Sequence, residues 1–184
     1  MKIKFLRFPE GKTKAVTLSY DDGVEQDIKL VEMMTDYGFY GTFNLNSLCF
    51  ASRLKKYDKD QICDRRLPEK EAIRLYKKHS MEIGCHSLTH TFLERLPYPL
   101  ALREIIEDRQ RLENASGSII HGFAYPYGTY SDDTVNALKN AGFYYARTTT
   151  SSESFDLPKD WLRLNPTCHH NDPGLEDKTI FFRD

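Results

Sequence analysis

In the stretch VTLSYDDGVEQD, Asp21 and Asp22 stand side by side, and two like charges held that close repel each other and lose hydration together. A turn accounts for one of them: Asp22-Gly23 is turn chemistry, and an acidic residue suits the start of the helix that follows. The second calls for an opposite charge, and a bound cation is the usual one. Further along, HSLTH sets His86 and His90 at i and i+4, which one helical turn or a tight loop brings to the same side, as a metal needs. Two histidines and one aspartate leave coordination positions open to water and substrate, as in a catalytic zinc site and unlike a closed structural one. A zinc-protease helix is excluded, because Ser87 stands where H-E-x-x-H requires glutamate.

These groups need elements to carry them. Lys14 to Tyr20 alternates as a strand, and Val24, Ile28, Val31 and Met34 then recur at helical spacing until Gly38. Tyr40 to Ser47 reads as the second strand, Pro68 to His79 as a helix opened by its proline, and Met81 to His86 as the third strand. A helix over Pro99 to Asn114 presents Leu102, Ile105, Ile106 and Leu112, and leads through ASGS to the strand IIHGFAYP. Ser131 caps a helix that ends at Gly142, and FYYARTTT follows as another strand. WLRLNPT reads as a last strand, and the tail to Asp184 shows no further helical pattern. Such alternation implies parallel strands with helical crossovers, as a barrel or as a doubly wound sheet. The aspartates, the histidines and the YPYG turn each follow a strand, at the ends where the loops of such folds converge.

The chain of 184 residues suits one domain over residues 1–184. Its net charge of −1 comes from 26 basic and 27 acidic residues that are well mixed, which argues against nucleic acid and anionic membrane as partners. No apolar run is long enough to span a bilayer, and the basic start MKIKFLRFPEGK lacks an apolar segment of signal-peptide length, so a cytoplasmic location is expected. Cys49, Cys63, Cys85 and Cys168 form no C-x-x-C pair; buried free thiols are expected, or two disulfides in a secreted protein.

From about Val16 to Trp161 the sequence resembles the polysaccharide deacetylases (NodB-homology domain, carbohydrate esterase family 4). LSYDDG resembles the family motif T-F-D-D-G, HSLTH resembles H-S/T-x-x-H, and AYPYG resembles R-x-P-Y-G. The resemblance implies a distorted, incomplete (β/α) barrel. It implies Asp21 as catalytic base, Asp22, His86 and His90 as ligands of a divalent metal, zinc or else cobalt, and Tyr127 offering its backbone N–H to an oxyanion. The implied reaction is removal of acetyl groups from N- or O-acetylated sugars or polysaccharides by metal-activated water. Tyr125, Pro126 and Trp161 are the implied groove residues, and His169 and His170 in NPTCHHND are candidates for the acid that protonates the leaving amine.

The sequence departs from the family pattern in places. Ala124 stands where an arginine pairs with the catalytic aspartate, and another group such as Arg147 would have to serve. FDLPKDW fits D-x-x-D-W only loosely, through Asp156 and Asp160. A shortened barrel also leaves a strand edge that a second subunit can cover, in a homo-oligomer. Two other readings stay open: a carbohydrate-binding module on this fold without turnover, and an amidohydrolase acting on a small non-sugar amide.

Overall fold

Glycines in the left-handed conformation, Gly38, Gly117 and Gly142, follow three of the helices. The computed structural model describes residues 8–52 and 65–183. Strands β1 (Leu18–Asp21), β2 (Gly41–Leu45), β3 (Glu82–Cys85), β4 (Gly122–Ala124) and β5 (Tyr145–Arg147) alternate with helices α1 (Asp27–Asp36), α2 (Glu69–Lys78), α3 (Tyr98–Ser116) and α4 (Asp132–Asn140). The strands pair in chain order, all parallel, as one five-stranded sheet. The architecture is an incomplete α/β barrel, the one of the two forms left open by the alternation that the family resemblance implied.

The two faces of the sheet differ in kind. Phe43, Leu45, Ile83, Cys85, Phe123 and Ala146 face the helices and form the core with Val31, Tyr76, Ile105, Leu112 and Leu138. Burying these side chains is the main favourable contribution to folding, at roughly 1.5–3 kcal/mol each. Ser19, Asp21, Thr42, Asn44, Glu82, Tyr145 and Arg147 lie on the other face and bond to one another, for example Asn44 Nδ2 to Ser19 Oγ at 3.0 Å and Tyr145 Oη to Glu82 Oε2 at 2.9 Å. Gly84 and Gly122 leave the room this polar face needs: a Cβ at Gly84 would stand 2.2 Å from Asn44 Oδ1, and one at Gly122 2.2 Å from the Tyr145 ring.

Local signals explain most element ends. Ser131 accepts from the Thr134 amide at 3.3 Å while Thr134 Oγ1 accepts from the Ser131 amide at 2.8 Å, a reciprocal cap for α4. Gly117, at φ 68°, ends α3 in the left-handed conformation.

The end of the chain departs from its expected form. Trp161–Arg163 is a 3-10 turn capped by the Asp160 carboxylate, and Leu164 alone bridges to Arg147 in place of a sixth strand. Pro166 has no N–H to continue the ladder. A fifth helix, α5 (Leu175–Arg183), follows where none was expected. Its Leu175, Ile180 and Phe181 are all exposed, so it shows no apolar stripe to read. Cys49, Cys85 and Cys168 are free thiols, and Cys85 is buried against the helices; Cys63 lies outside the described residues. No described helix is long and apolar enough to cross a membrane.

One buried carboxyl beneath the sheet makes folding pH-dependent. Asp27 Oδ2 accepts from Tyr76 Oη at 2.6 Å and from the Val24 amide at 3.1 Å. Burial outweighs those bonds and, with the charges of Asp22 and Asp21, raises its pKa to about 6. Because the folded value lies above the unfolded one, this contribution is complete below the unfolded pKa and is lost as pH rises through about 6. Urea unfolding of Asp27→Asn against the native chain should show a stability difference that shifts by about 2–3 kcal/mol in favour of the variant between roughly pH 4 and 7.

Candidate metal centre

Asp22 follows β1 with φ at 81°, a left-handed conformation that aspartate enters more readily than most residues and in which it is held here. The constraint comes from neighbouring segments: the Asp22 amide donates to the Asn44 carbonyl at 2.9 Å, and Arg66 Nη1 donates to the Asp22 carbonyl at 2.6 Å. Gly23 continues the turn at φ 61°, where a Cβ would come within 2.8 Å of Leu45.

The histidine pair is carried by a loop, not by a helical turn, with Ser87 at φ 63° and His90 at φ 56°. Helix α3 braces that loop. The Leu88 amide donates to the Glu104 carbonyl at 3.1 Å, and the Thr89 amide and hydroxyl donate to the Glu104 carboxylate, both at 2.9 Å. Asp108 accepts from the amides of Ser47 at 2.8 Å and His86 at 3.2 Å, tying the ends of β2 and β3 together. Burial pushes the Asp108 carboxyl up to about 7 despite those bonds. Just after β2, Asn46 Nδ2 donates to the carbonyls of His86 and Ser87.

Asp22, His86 and His90 thereby offer ligand atoms that all lie within 4.8 Å of one another. Asp22 Oδ1 stands 3.7 Å from His86 Nε2 and 3.6 Å from His90 Nε2. Three features of the set fit a divalent cation. Asp22 Oδ1 is buried without a hydrogen bond, although Arg66 Nη2 comes within 2.8 Å of it. His86 Nδ1 stands 2.7 Å from the Ala124 carbonyl, which fixes the proton there and leaves Nε2 as the donor to a metal. Burial lowers the His86 pKa more than the nearby Asp21, Ala124 carbonyl and Asp22 raise it, so the ring is kept in the neutral form a metal requires.

Asp21 is not part of that set. Its Oδ1 accepts from Asn44 Nδ2 at 2.9 Å and from Arg147 Nη2, while Arg147 Nε donates to Ser19 Oγ at 2.9 Å and Nη1 to the Thr148 carbonyl at 3.0 Å. Burial works to raise the Asp21 carboxyl, but the charge His86 takes on in acid, the charge of Arg147 and the bonds from Arg147 and Asn44 hold it below the usual carboxylate value. Arg147 therefore takes the part that Ala124 cannot. The two residues are direct neighbours across β4 and β5, and the small side chain of Ala124 leaves the inner face open for the guanidinium.

The remaining expected residues fall differently. The Tyr127 ring, half exposed, stacks on Phe92 with centroids 3.9 Å apart and meets His90 edge-on at 4.6 Å. Its backbone sits at φ 60° in the Pro126–Gly128 turn. Tyr125 is only 1% exposed and its hydroxyl donates to the Leu162 carbonyl at 2.8 Å, and Pro126 is buried too, so both are wall supports and not substrate surface. Trp161 is exposed at the start of its turn. Asp160 caps that turn and Asp156 is exposed. His169 and His170 lie next to each other on the surface. His170 packs 5.8 Å from the ring of Tyr20, whose side chain leaves β1 on the face opposite Asp21.

Asn44, Asn46, Glu104, Asp108 and Arg66 escaped the reading of the sequence. Asp108 had a signal, because it interrupts the buried stripe of Ala101, Ile105 and Leu112 on α3. Asn44 and Asn46 had another, as polar residues alternating with Phe43 and Leu45 through a buried strand and just past its end. Arg66 had none.

Parallel strands with an Asp-His-His cluster at their C-terminal ends, beside a second, arginine-paired aspartate, make up an incomplete α/β barrel. The family profile described as polysaccharide deacetylase matches residues 8–146, and the chain belongs to that family. Among solved structures it is similar to IcaB from Ammonifex degensii, with 16% identity and a TM-score of 0.76 over 97% of this chain and 76% of that one. It is similar to the polysaccharide deacetylase BC0361 from Bacillus cereus, with 17% identity and a TM-score of 0.71 over 94% and 52%. The Streptococcus pyogenes deacetylase PplD in complex with acetate shares 19% identity and a TM-score of 0.66 over 79% of this chain, which spans 59% of PplD. No curated protein matches the sequence.

The Arg147–Asp21 pair yields a stability test. Asp21 has a lowered folded pKa, so its contribution is present above the unfolded value and lost as pH falls through the folded one. Arg147→Met should cost about 2 kcal/mol at pH 7, less than a fully buried pair because Asp21 is partly exposed. Urea unfolding at descending pH should show that loss shrinking once Asp21 is protonated.

Proposed function

We propose that this protein is a metal-dependent deacetylase acting on N-acetylated or O-acetylated carbohydrate. The observation that carries the reading is the division of labour within one dipeptide: Asp22 turns to two histidines, while Asp21 is held apart by an arginine and an asparagine. Family membership supports it, as do structural neighbours described as deacetylases.

Asp22, His86 and His90 would hold the metal, zinc or cobalt, which when bound polarises an acyl carbonyl and acidifies water. Asp21 takes the proton of the attacking water. Arg147 and Asn44 orient the carboxylate and keep it ionised until that moment. The Tyr127 backbone N–H is assigned to the oxyanion that forms as the carbonyl carbon becomes tetrahedral. The same Asp21 then returns the proton to the departing nitrogen or oxygen, leaving acetate and a free amine or alcohol. His169 and His170 are not needed in this scheme, in keeping with the place of His170 beyond Tyr20. The Tyr127–Phe92 stack beside His90 supplies an aromatic wall for a sugar ring.

A binding module without turnover was suggested by Ala124 and by the short C-terminal part of the barrel, and Arg147 at Asp21 removes the first of those reasons. The test is acetate release from N-acetylglucosamine oligomers by chelator-stripped protein titrated with zinc or cobalt. Activity should return near one metal per chain, and His86→Ala should lose both metal and activity. Asp21→Asn should keep the metal while kcat falls about a hundredfold or more. Metal binding at that stoichiometry with release from small amides alone would move the substrate away from carbohydrate; unchanged metal content in His86→Ala would overturn the site.

A further inference from the structure

We infer that Arg66 sets the metal affinity of this site, holding Asp22 in its ligand position while opposing the charge of the cation. The inference rests on the proposed metal centre and concerns a residue outside the motifs that suggested it.

Arg66 has two kinds of contact with Asp22. Nη1 donates to the Asp22 carbonyl at 2.6 Å and to Asn46 Oδ1 at 2.7 Å, two neutral acceptors that stay in place whatever the carboxylate does. Asn46 is itself fixed by its bonds to the carbonyls of His86 and Ser87. The backbone around Arg66 is anchored as well, by an antiparallel bridge to Val24 and by the Leu67 amide on the Gly23 carbonyl at 2.7 Å. The guanidinium is therefore positioned independently of the Asp22 side chain.

The second contact is with the carboxylate. Nη2 comes within 2.8 Å of Asp22 Oδ1, the same atom that faces both histidines, without the alignment of a hydrogen bond. What Arg66 supplies to that oxygen is charge. With no cation present, this charge offsets the desolvation of Asp22 beside Asp21 and keeps the carboxylate in place. A divalent cation on the same oxygen would meet a fixed positive charge only a few ångströms off, a separation at which Coulomb repulsion in a partly buried site is large. The backbone conformation of Asp22 has a further anchor in the Asn44 carbonyl, so removing the guanidinium takes away more repulsion than order. A purely structural Arg66 would predict the opposite sign, weaker binding on its loss.

The test measures zinc dissociation constants of chelator-stripped protein by competition with a chromogenic chelator, with the cobalt absorption spectrum as a check on ligand geometry. Arg66→Gln should bind zinc more tightly by about tenfold or more, the scale of effects from groups next to metal ligands, with the cobalt spectrum unchanged. Arg66→Lys, which keeps the charge, should stay close to the native value. Arg66→Met gives a second neutral variant should the glutamine protein fail to fold. Equal or weaker binding in the neutral variants overturns the inference and leaves the metal centre standing. Binding by the neutral variants alone would be its strongest form, whereas no binding by any of the proteins would overturn the centre and the inference together.

Discussion

The structure is organised around two carboxylates on successive residues, at a strand end where both are largely withdrawn from solvent. Each is given its own positive partner from a different direction. Asp21 faces the inner side of the sheet and meets Arg147 from β5; Asp22 turns away, through a left-handed backbone, to His86, His90 and Arg66. That separation makes unlike chemistry out of like residues. A carboxylate ligating a cation cannot accept a proton freely, and one reserved as a base must be kept off the cation.

Keeping the two apart makes demands on the rest of the fold. The inner face of the sheet has to be polar enough to carry Ser19, Asn44 and Arg147 and open enough to let them reach Asp21, which is why small residues occupy Gly84, Gly122 and Ala124 there. The histidine loop has to hold left-handed residues at Ser87 and His90, a strain of order 1–3 kcal/mol each. Glu104 and Asp108 of α3 and Asn46, just after β2, offset it with hydrogen bonds to the loop backbone. The apolar face, packed under the helices, supplies the rigidity from which these polar groups are hung.

Much of this was legible in the sequence. Apolar periodicity placed all five strands and all four crossover helices within a few residues, because tertiary packing here follows local pattern. The Asp22-His86-His90 cluster was legible because its three residues come in two short motifs behind strands. Arg147 could be named as the substitute for a missing arginine because the following strand ends beside Ala124. What escaped depends on contacts between distant segments. Nothing about Arg66, one basic residue in a lysine- and arginine-rich stretch, indicates that its guanidinium reaches Asp22 and Asn46. Nothing local in NPTCHHND tells that His170 packs on Tyr20. Tyr125 read as groove surface because aromatic residues near a strand end look alike whether they line a groove or support it.

The central claim is that one aspartate of the pair binds the cation and the other does not. A crystal structure of the zinc-loaded protein, with the ion located by its anomalous scattering, tests it most directly. The account predicts zinc on Asp22, His86 and His90, with Asp21 unligated and still paired to Arg147. Zinc bridging both aspartates, or bound away from His86 and His90, would contradict it.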